Sequence, residues 1–154
     1  MLFLYLFFYH LQAGIKQIKK QQSNFIDFLE YAIVTGNWWD TVDWINKMVG
    51  IHFMRYPDLQ HSYCQKWIDS DNIWLQRVAI IHQLTYKENT DQILLFNLIL
   101  RRKDSTEFFV QKAAGWGLRQ YSKYNPEAVI TFITDHPELS SLTKREGMKW
   151  LERQ

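Results

Sequence analysis

The sequence predicts an all-α protein whose helices stack in pairs as an α-solenoid. Apolar residues recur with helical spacing nearly throughout, and no alternating segment of strand length appears. Only three prolines and six glycines interrupt the 154 residues, of which 47% are hydrophobic. Signals for the start of a helix recur at intervals of roughly 35 residues, an interval typical of helical repeat proteins. The length suits one domain, residues 1–154, with a core of its own.

The first helix is predicted within residues 1–22, which begin MLFLYLFFYHLQAG. Its apolar run of about nine residues is too short to span a bilayer, so we expect no membrane partner. No basic segment precedes the run and no convincing small-residue cleavage site follows it, which makes a degraded signal peptide the lesser alternative. We expect a helix meant to be buried on several sides, as a remnant of truncated repeats.

The later helices are predicted from their capping residues. Asn125, Pro126 and Glu127 supply a cap, a first-turn proline and an acidic first turn in that order. Near the end of the chain, Thr143 and Glu146 have the spacing of a capping box. In order, the helices are predicted from Asn24 to Thr35, from a cap at Asn37 after Gly36, from Pro57 to about Ile68, from Ser70–Asn72, from about Thr90 to Leu100, from a cap at Ser105 or Thr106, from Asn125, and from Ser141 or Thr143.

The second helices of successive pairs begin near residues 37, 71, 105 and 141. Helical pairs at this interval favour a superhelix of HEAT or armadillo type. Such a stack exposes a surface lined by one helix of each pair, so residues at equivalent positions of the second helices are expected to lie side by side.

Two of these second helices carry tryptophan on a polar face. In the helix from Asn37, the predicted buried stripe is separate from a face where Trp39, Asp43 and Lys47 follow one another at i, i+4 and i+8. The buried stripe of that helix is Trp38, Val42, Ile45 and Val49. In the helix from Thr106 to Lys123, the core stripe is Val110, Ala113, Ala114, Gly117 and Tyr121, whereas a separate basic stripe holds Lys112, Trp116, Arg119 and Lys123.

An arginine interrupts the apolar stretch WLQRVAII in the helix between them. Arg77 needs a partner there, because an unpaired buried charge is unfavourable. Asp43, Arg77 and Trp116 come from three successive second helices and are therefore predicted to converge on one surface. The structural alternative is that Asp43 simply pairs with Lys47 or Arg77.

Four segments resemble the DNA alkylation repair family, the AlkD-type DNA glycosylases built of HEAT-like repeats. They are WWDTVDWI, WLQRVAIIHQLTYK, EFFVQKAAGWGLRQYSKYNPE and LSSLTKREGMKWL, and the resemblance extends from about Asn24 onward. It implies hydrolysis of the N-glycosidic bond of purines alkylated at N3 or N7 in double-stranded DNA. The resemblance assigns catalysis to Asp43, Trp39 and Trp116. It implies a phosphate contact for Arg77 and strand contacts for Lys47, Lys112, Arg119 and Lys123.

Family members generally carry several further helices before the position where this chain starts. Two alternatives follow: a DNA-binding HEAT-repeat protein without turnover because those repeats are missing, or a solenoid scaffold that binds protein. The net charge of +2 is too small to establish a polyanionic partner by itself.

Cofactor chemistry has no support in the sequence. The five histidines lack ligand spacing, and neither a GxxxxGK[ST] nor a GxGxxG motif occurs. We expect no metal and no cofactor. The single cysteine, Cys64, cannot form an internal disulfide and suits a reducing cytoplasm. We also expect a monomer.

Overall fold

The structure, a computed structural model, describes residues 17–154. Most of the predicted first helix, within residues 1–22, lies outside these residues; its described part includes a short 3₁₀ helix, Ile18–Lys20. The described part of the chain contains eight α-helices and no strand, which confirms the all-α prediction. The helices are α1 (Phe25–Gly36), α2 (Trp39–Arg55), α3 (Pro57–Asp69), α4 (Ile73–Ile81), α5 (Gln92–Arg101), α6 (Phe108–Tyr121), α7 (Pro126–Asp135) and α8 (Ser141–Met148), with further 3₁₀ helices at Lys87–Asn89 and Leu151–Arg153.

The helices stack as a solenoid, as predicted. The second helices α2, α4, α6 and α8 pack against one another in chain order, and α3 packs against α5 in the other layer. Hydrogen bonds between neighbouring repeats join residues 32 to 37 positions apart, which matches the interval predicted from the sequence. The layer of second helices therefore forms a continuous surface.

The core follows the predicted stripes with one exception. All five predicted core residues of α6 are buried, as are Val42, Ile45 and Val49 of α2. Trp38 was predicted in the same buried stripe and is instead 57% exposed. The prediction was wrong because α2 begins at Trp39, and Trp38 has the extended backbone conformation φ −150°, ψ 141°. Its side chain consequently leaves the helical face.

Local caps confirm two helix starts. The side chain of Asn72 accepts hydrogen bonds from the backbone N–H groups of Trp74 and Leu75, at 2.9 and 3.1 Å. Asn125 accepts one from the N–H of Ala128 at 3.2 Å. All three bonds satisfy N–H groups that have no partner within the helix.

Other predicted caps are replaced. Asn37 follows α1 in the left-handed region, at φ 44°, and its side chain accepts a hydrogen bond from Trp74 Nε1 at 2.9 Å. Asparagine is one of the few residues that adopts this conformation readily. The remaining differences are a cap at Asp91 rather than a start at Thr90, a start of α6 at Phe108 without a cap by Ser105 or Thr106, and a cap of α8 by Ser140 rather than by the Thr143–Glu146 box.

A glycine allows α6 and α8 to approach closely. A Cβ added at Gly115 would overlap the Cβ of Glu146 and would lie 3.0 Å from the carbonyl oxygen of Thr143. The backbones meet here at a distance that only glycine permits. The contact brings Glu146 against the polar face of α6.

In residues 17–154, no helix is both long and apolar enough to cross a membrane.

Candidate active site

Asp43 and Arg77 form a forked ion pair between α2 and α4. Arg77 Nε donates to Asp43 Oδ1 at 2.9 Å, and Nη2 donates to Oδ2 at 3.0 Å. The guanidinium belongs to a residue that is only 4% exposed, whereas the side chain of Asp43 remains 20% exposed. Two parallel hydrogen bonds of this kind fix the plane of a carboxylate as well as its position. Asp43 is therefore the acidic partner that the sequence predicted for the buried charge of Arg77.

The same guanidinium reaches the next repeat. Arg77 Nη1 donates to the backbone carbonyl oxygen of Phe109, in the first turn of α6, at 3.0 Å. Its Cζ lies 5.7 Å from the centroid of the Trp116 ring, within the range of a cation–π contact. Asp43, Arg77 and Trp116 thus converge, as their places in three successive second helices predicted.

The burial of Arg77 does not favour its predicted contact with a DNA phosphate. Its donors are directed at Asp43 and at the Phe109 carbonyl, and little of the side chain reaches solvent. The geometry instead suits a residue that positions the carboxylate of Asp43.

An open cleft of about 410 Å³ lies beside this ion pair. Trp39, Asp43 and Lys47 line it from α2, and Trp116 lines it from α6. Trp39 is 45% exposed, an unusual position for a large apolar side chain. The volume lies within the range of about 300–1,000 Å³ that is typical of ligand sites.

The sequence reasoning missed several further residues of the cleft, among them Asp40, Asn46 and Gln120. Asp40 and Asn46 lie on the same helix as Asp43, and Gln120 lies one turn after Trp116. Asn46 donates to the carbonyl of Ile81 at 3.2 Å, while its Oδ1 is buried without a partner in the described structure. A polar residue between the buried positions Ile45 and Met48 was the available signal.

The four cations predicted to contact the DNA strand fall into two groups. Lys47 lies over the Trp44 ring, 4.3 Å from its centroid, and Lys123 donates to Gln120 Oε1 at 2.9 Å. Both are exposed. The other two, Lys112 and Arg119, turn to a carboxylate instead.

That carboxylate is Glu146, which is 2% exposed. Lys112 and Arg119 lie 3.2 and 3.1 Å from its oxygens, and Lys149 forms a third ion pair with it. Burial alone would raise the pKa of Glu146, but hydrogen bonds from Lys149 and Lys112 and their charges outweigh it and hold the pKa below its usual value. The side chains of Lys112 and Arg119 remain 38% and 31% exposed.

His82 also borders the cleft but is not suited to proton transfer at neutral pH. Burial lowers its pKa from 6.5 to about 4. Its Nδ1 lies 2.7 Å from the Ala79 carbonyl and its Nε2 lies 2.8 Å from Gln60 Nε2. In the neutral tautomer that fits both contacts, Nδ1–H donates and Nε2 accepts. Within residues 17–154, no three His, Cys, Asp or Glu side chains are grouped so that they could hold a metal ion.

The fold and this cleft define a helical-repeat protein with a candidate site in which carboxylates and indoles line one cleft. The sequence matches the family described as DNA alkylation repair enzyme over residues 10–151. A solved structure described as a predicted DNA alkylation repair enzyme from Enterococcus faecalis is similar, with 32% sequence identity and a TM-score of 0.81. That match covers 94% of this chain and 67% of the other. A comparison with curated proteins gave no match.

The chain therefore belongs to the DNA alkylation repair enzyme family, as its resemblance predicted. Membership supports a role in DNA repair, with DNA as the substrate.

Proposed function

We propose that this protein is a DNA glycosylase that hydrolyses the N-glycosidic bond of purines alkylated at N3 or N7. The observation that carries the proposal is the carboxylate of Asp43, fixed by Arg77 at the edge of a cleft that Trp39 and Trp116 also line. Family membership supports DNA as the substrate.

The chemistry of such a lesion suits this set of side chains. Alkylation at N3 or N7 leaves the purine positively charged, so the base departs readily and needs no strong general acid. As the glycosidic bond breaks, positive charge develops on the deoxyribose. A carboxylate held close to the sugar stabilises that charge and can orient the attacking water, and the neutral His82 is not required.

The two indoles supply a second attraction. A cationic base or sugar against the face of a tryptophan gains about 0.5 to 2 kcal/mol. The attraction to the base is absent for a neutral purine, so Trp39 and Trp116 favour the damaged nucleotide over the undamaged one. Lys47, Lys123 and the exposed part of Arg119 would contact the phosphates of the strand.

Release of 7-methylguanine from methylated duplex DNA tests the proposal. We expect release by the wild type and none above background from unmodified duplex. Asp43→Asn should lose most of the activity, and Asp135→Asn, an exposed carboxylate at the end of α7, should not. Binding of DNA without release would instead identify a non-catalytic DNA-binding protein. Failure to bind DNA at low salt would leave a protein-binding scaffold.

A further inference from the structure

A second cleft, of about 380 Å³, adjoins the candidate active site. Trp116 and Gln120 line both clefts and therefore form the boundary between them. The second cleft continues toward the C-terminal end of the described chain, where Trp150 and Arg153 form its far side.

The two clefts differ in charge. The first is lined by two carboxylates, Asp40 and Asp43, and by one cation, Lys47. No acidic side chain lines the second, which is bordered by four cations: Arg119, Lys123, Lys149 and Arg153. A cationic lesion suits the first cleft, and a phosphodiester suits the second.

The cations of the second cleft are held in different ways. Glu146 lies behind the cleft and forms ion pairs with Arg119 and Lys149, which fixes these two side chains while offsetting part of their charge. Lys123 is exposed and donates to Gln120. Arg153 is exposed and makes no ion pair with another residue of the described chain. Lys123 and Arg153 therefore supply most of the charge available to a ligand.

Trp150 gives the cleft an aromatic surface. It is only partly buried. An aromatic side chain among Lys and Arg is the arrangement by which proteins hold single-stranded nucleic acid, since an unpaired base stacks on the ring and the cations contact the phosphates. The pattern KWLER at residues 149–153 was the signal available in the sequence.

We infer that the second cleft binds an unpaired nucleotide adjacent to the alkylated one on the same DNA strand. Its base, out of the duplex stack, packs on Trp150, and its phosphate lies against Lys123, Lys149 and Arg153. This inference rests on the proposed function for the identity of the strand, but it concerns affinity for any DNA, damaged or not.

Fluorescence anisotropy with a labelled, unmodified single-stranded oligonucleotide tests it, with the dissociation constant measured from 50 to 200 mM KCl. We expect Trp150→Ala to weaken binding about tenfold and Trp150→Phe to retain most of the affinity. Arg153→Gln should reduce the slope of the logarithm of the association constant against the logarithm of the salt concentration by about 0.7, the value for one phosphate contact on single-stranded DNA. Arg145→Gln, an exposed cation of α8 outside the cleft, is the matched control and should leave the slope unchanged.

The outcomes separate this inference from the proposed function. Wild-type affinity and slope in both Trp150→Ala and Arg153→Gln would refute the nucleotide subsite, whether or not the protein releases alkylated bases. A reduced salt slope in Arg153→Gln together with wild-type affinity in Trp150→Ala would also refute it, because the cleft would then bind a phosphate but no base. Weakened binding in these variants of a protein that releases no base would support the subsite and refute the glycosylase. Because Arg153 is exposed, Arg153→Gln remains informative even if Trp150→Ala fails to fold.

Discussion

Replacement of Asp43 by asparagine removes one charge from the candidate active site without changing the size of the side chain. Asparagine keeps one oxygen that can accept a hydrogen bond from Arg77, but its amide NH2 group cannot accept the second. The Asp43 side chain is 20% exposed, so an effective dielectric constant of about 20 is appropriate for its interactions with a ligand in the cleft.

The expected loss follows from the charges involved. A carboxylate about 4 Å from the developing sugar cation contributes about 4 kcal/mol at this dielectric constant. The Arg77 guanidinium, behind the carboxylate and about 8 Å from the sugar, opposes it by about 2 kcal/mol. That repulsion is present in both the wild type and Asp43→Asn, so it cancels when their rates are compared. Loss of about 4 kcal/mol in the transition state lowers the rate about 1,000-fold.

Single-turnover release of 7-methylguanine measures this rate. Because Asp43→Asn also leaves Arg77 without a counter-charge, we expect about 3 kcal/mol lower stability, and both proteins must be assayed where circular dichroism shows them folded. Asp40→Asn removes a carboxylate from the same cleft that does not contact Arg77, and should reduce the rate less than tenfold. The reasoning is refuted if Asp43→Asn keeps a rate within tenfold of the wild type, or if the two variants lose activity equally.

Three further predictions concern positioning, pH and packing. Arg77→Lys keeps the charge but loses the fork on Asp43, so we expect at least a tenfold lower kcat with little change in DNA affinity, measured by kinetics and anisotropy. The pKa of His82 is lowered to about 4 in the folded protein, so between pH 6.5 and 4 the unfolded chain binds more protons than the folded one. The free energy of unfolding should therefore fall by about 3 kcal/mol as the pH is lowered from 6.5 to 4. Urea titrations of the wild type and of His82→Gln should differ in this dependence of stability on pH. Gly115→Ala forces a Cβ into Glu146, and we expect about 1–3 kcal/mol lower stability by thermal denaturation.

Each of these predictions has a contradicting result. Weaker DNA binding by Arg77→Lys at unchanged kcat would instead favour the contact between Arg77 and a DNA phosphate that the family resemblance implied. Parallel pH profiles for the wild type and His82→Gln would mean that another group titrates. Gly117→Ala is the control for packing, since its Cβ would meet the flexible end of Leu95 at 3.2 Å. An equal loss in both glycine variants would contradict the argument from close backbone approach.

The sequence predicted those features that depend on local patterns or on the repeat interval. The caps Asn72 and Asn125 were found because each acts on N–H groups within three residues. The convergence of Arg77 with Asp43 and Trp116 followed from equivalent places in successive repeats. Both arguments require only short-range geometry and a period.

Features fixed by contacts between particular helices were not predicted. Asn37 looked like a cap, but a hydrogen bond from Trp74 and a left-handed backbone place it at the end of α1. Glu146 had capping-box spacing, yet the close approach at Gly115 buries it among three cations. The register between α6 and α8 decides this, and no pattern within either helix encodes that register.

The guanidinium of Arg77 joins three repeats, because it contacts Asp43, the Phe109 carbonyl and the Trp116 ring. The curvature of the solenoid and the orientation of the Asp43 carboxylate are consequently coupled. Any bending that shifts α2 relative to α6 also turns the carboxylate. A DNA that fits the resting curvature meets the carboxylate already aligned, whereas one that forces the repeats apart disrupts the alignment that the proposed hydrolysis requires.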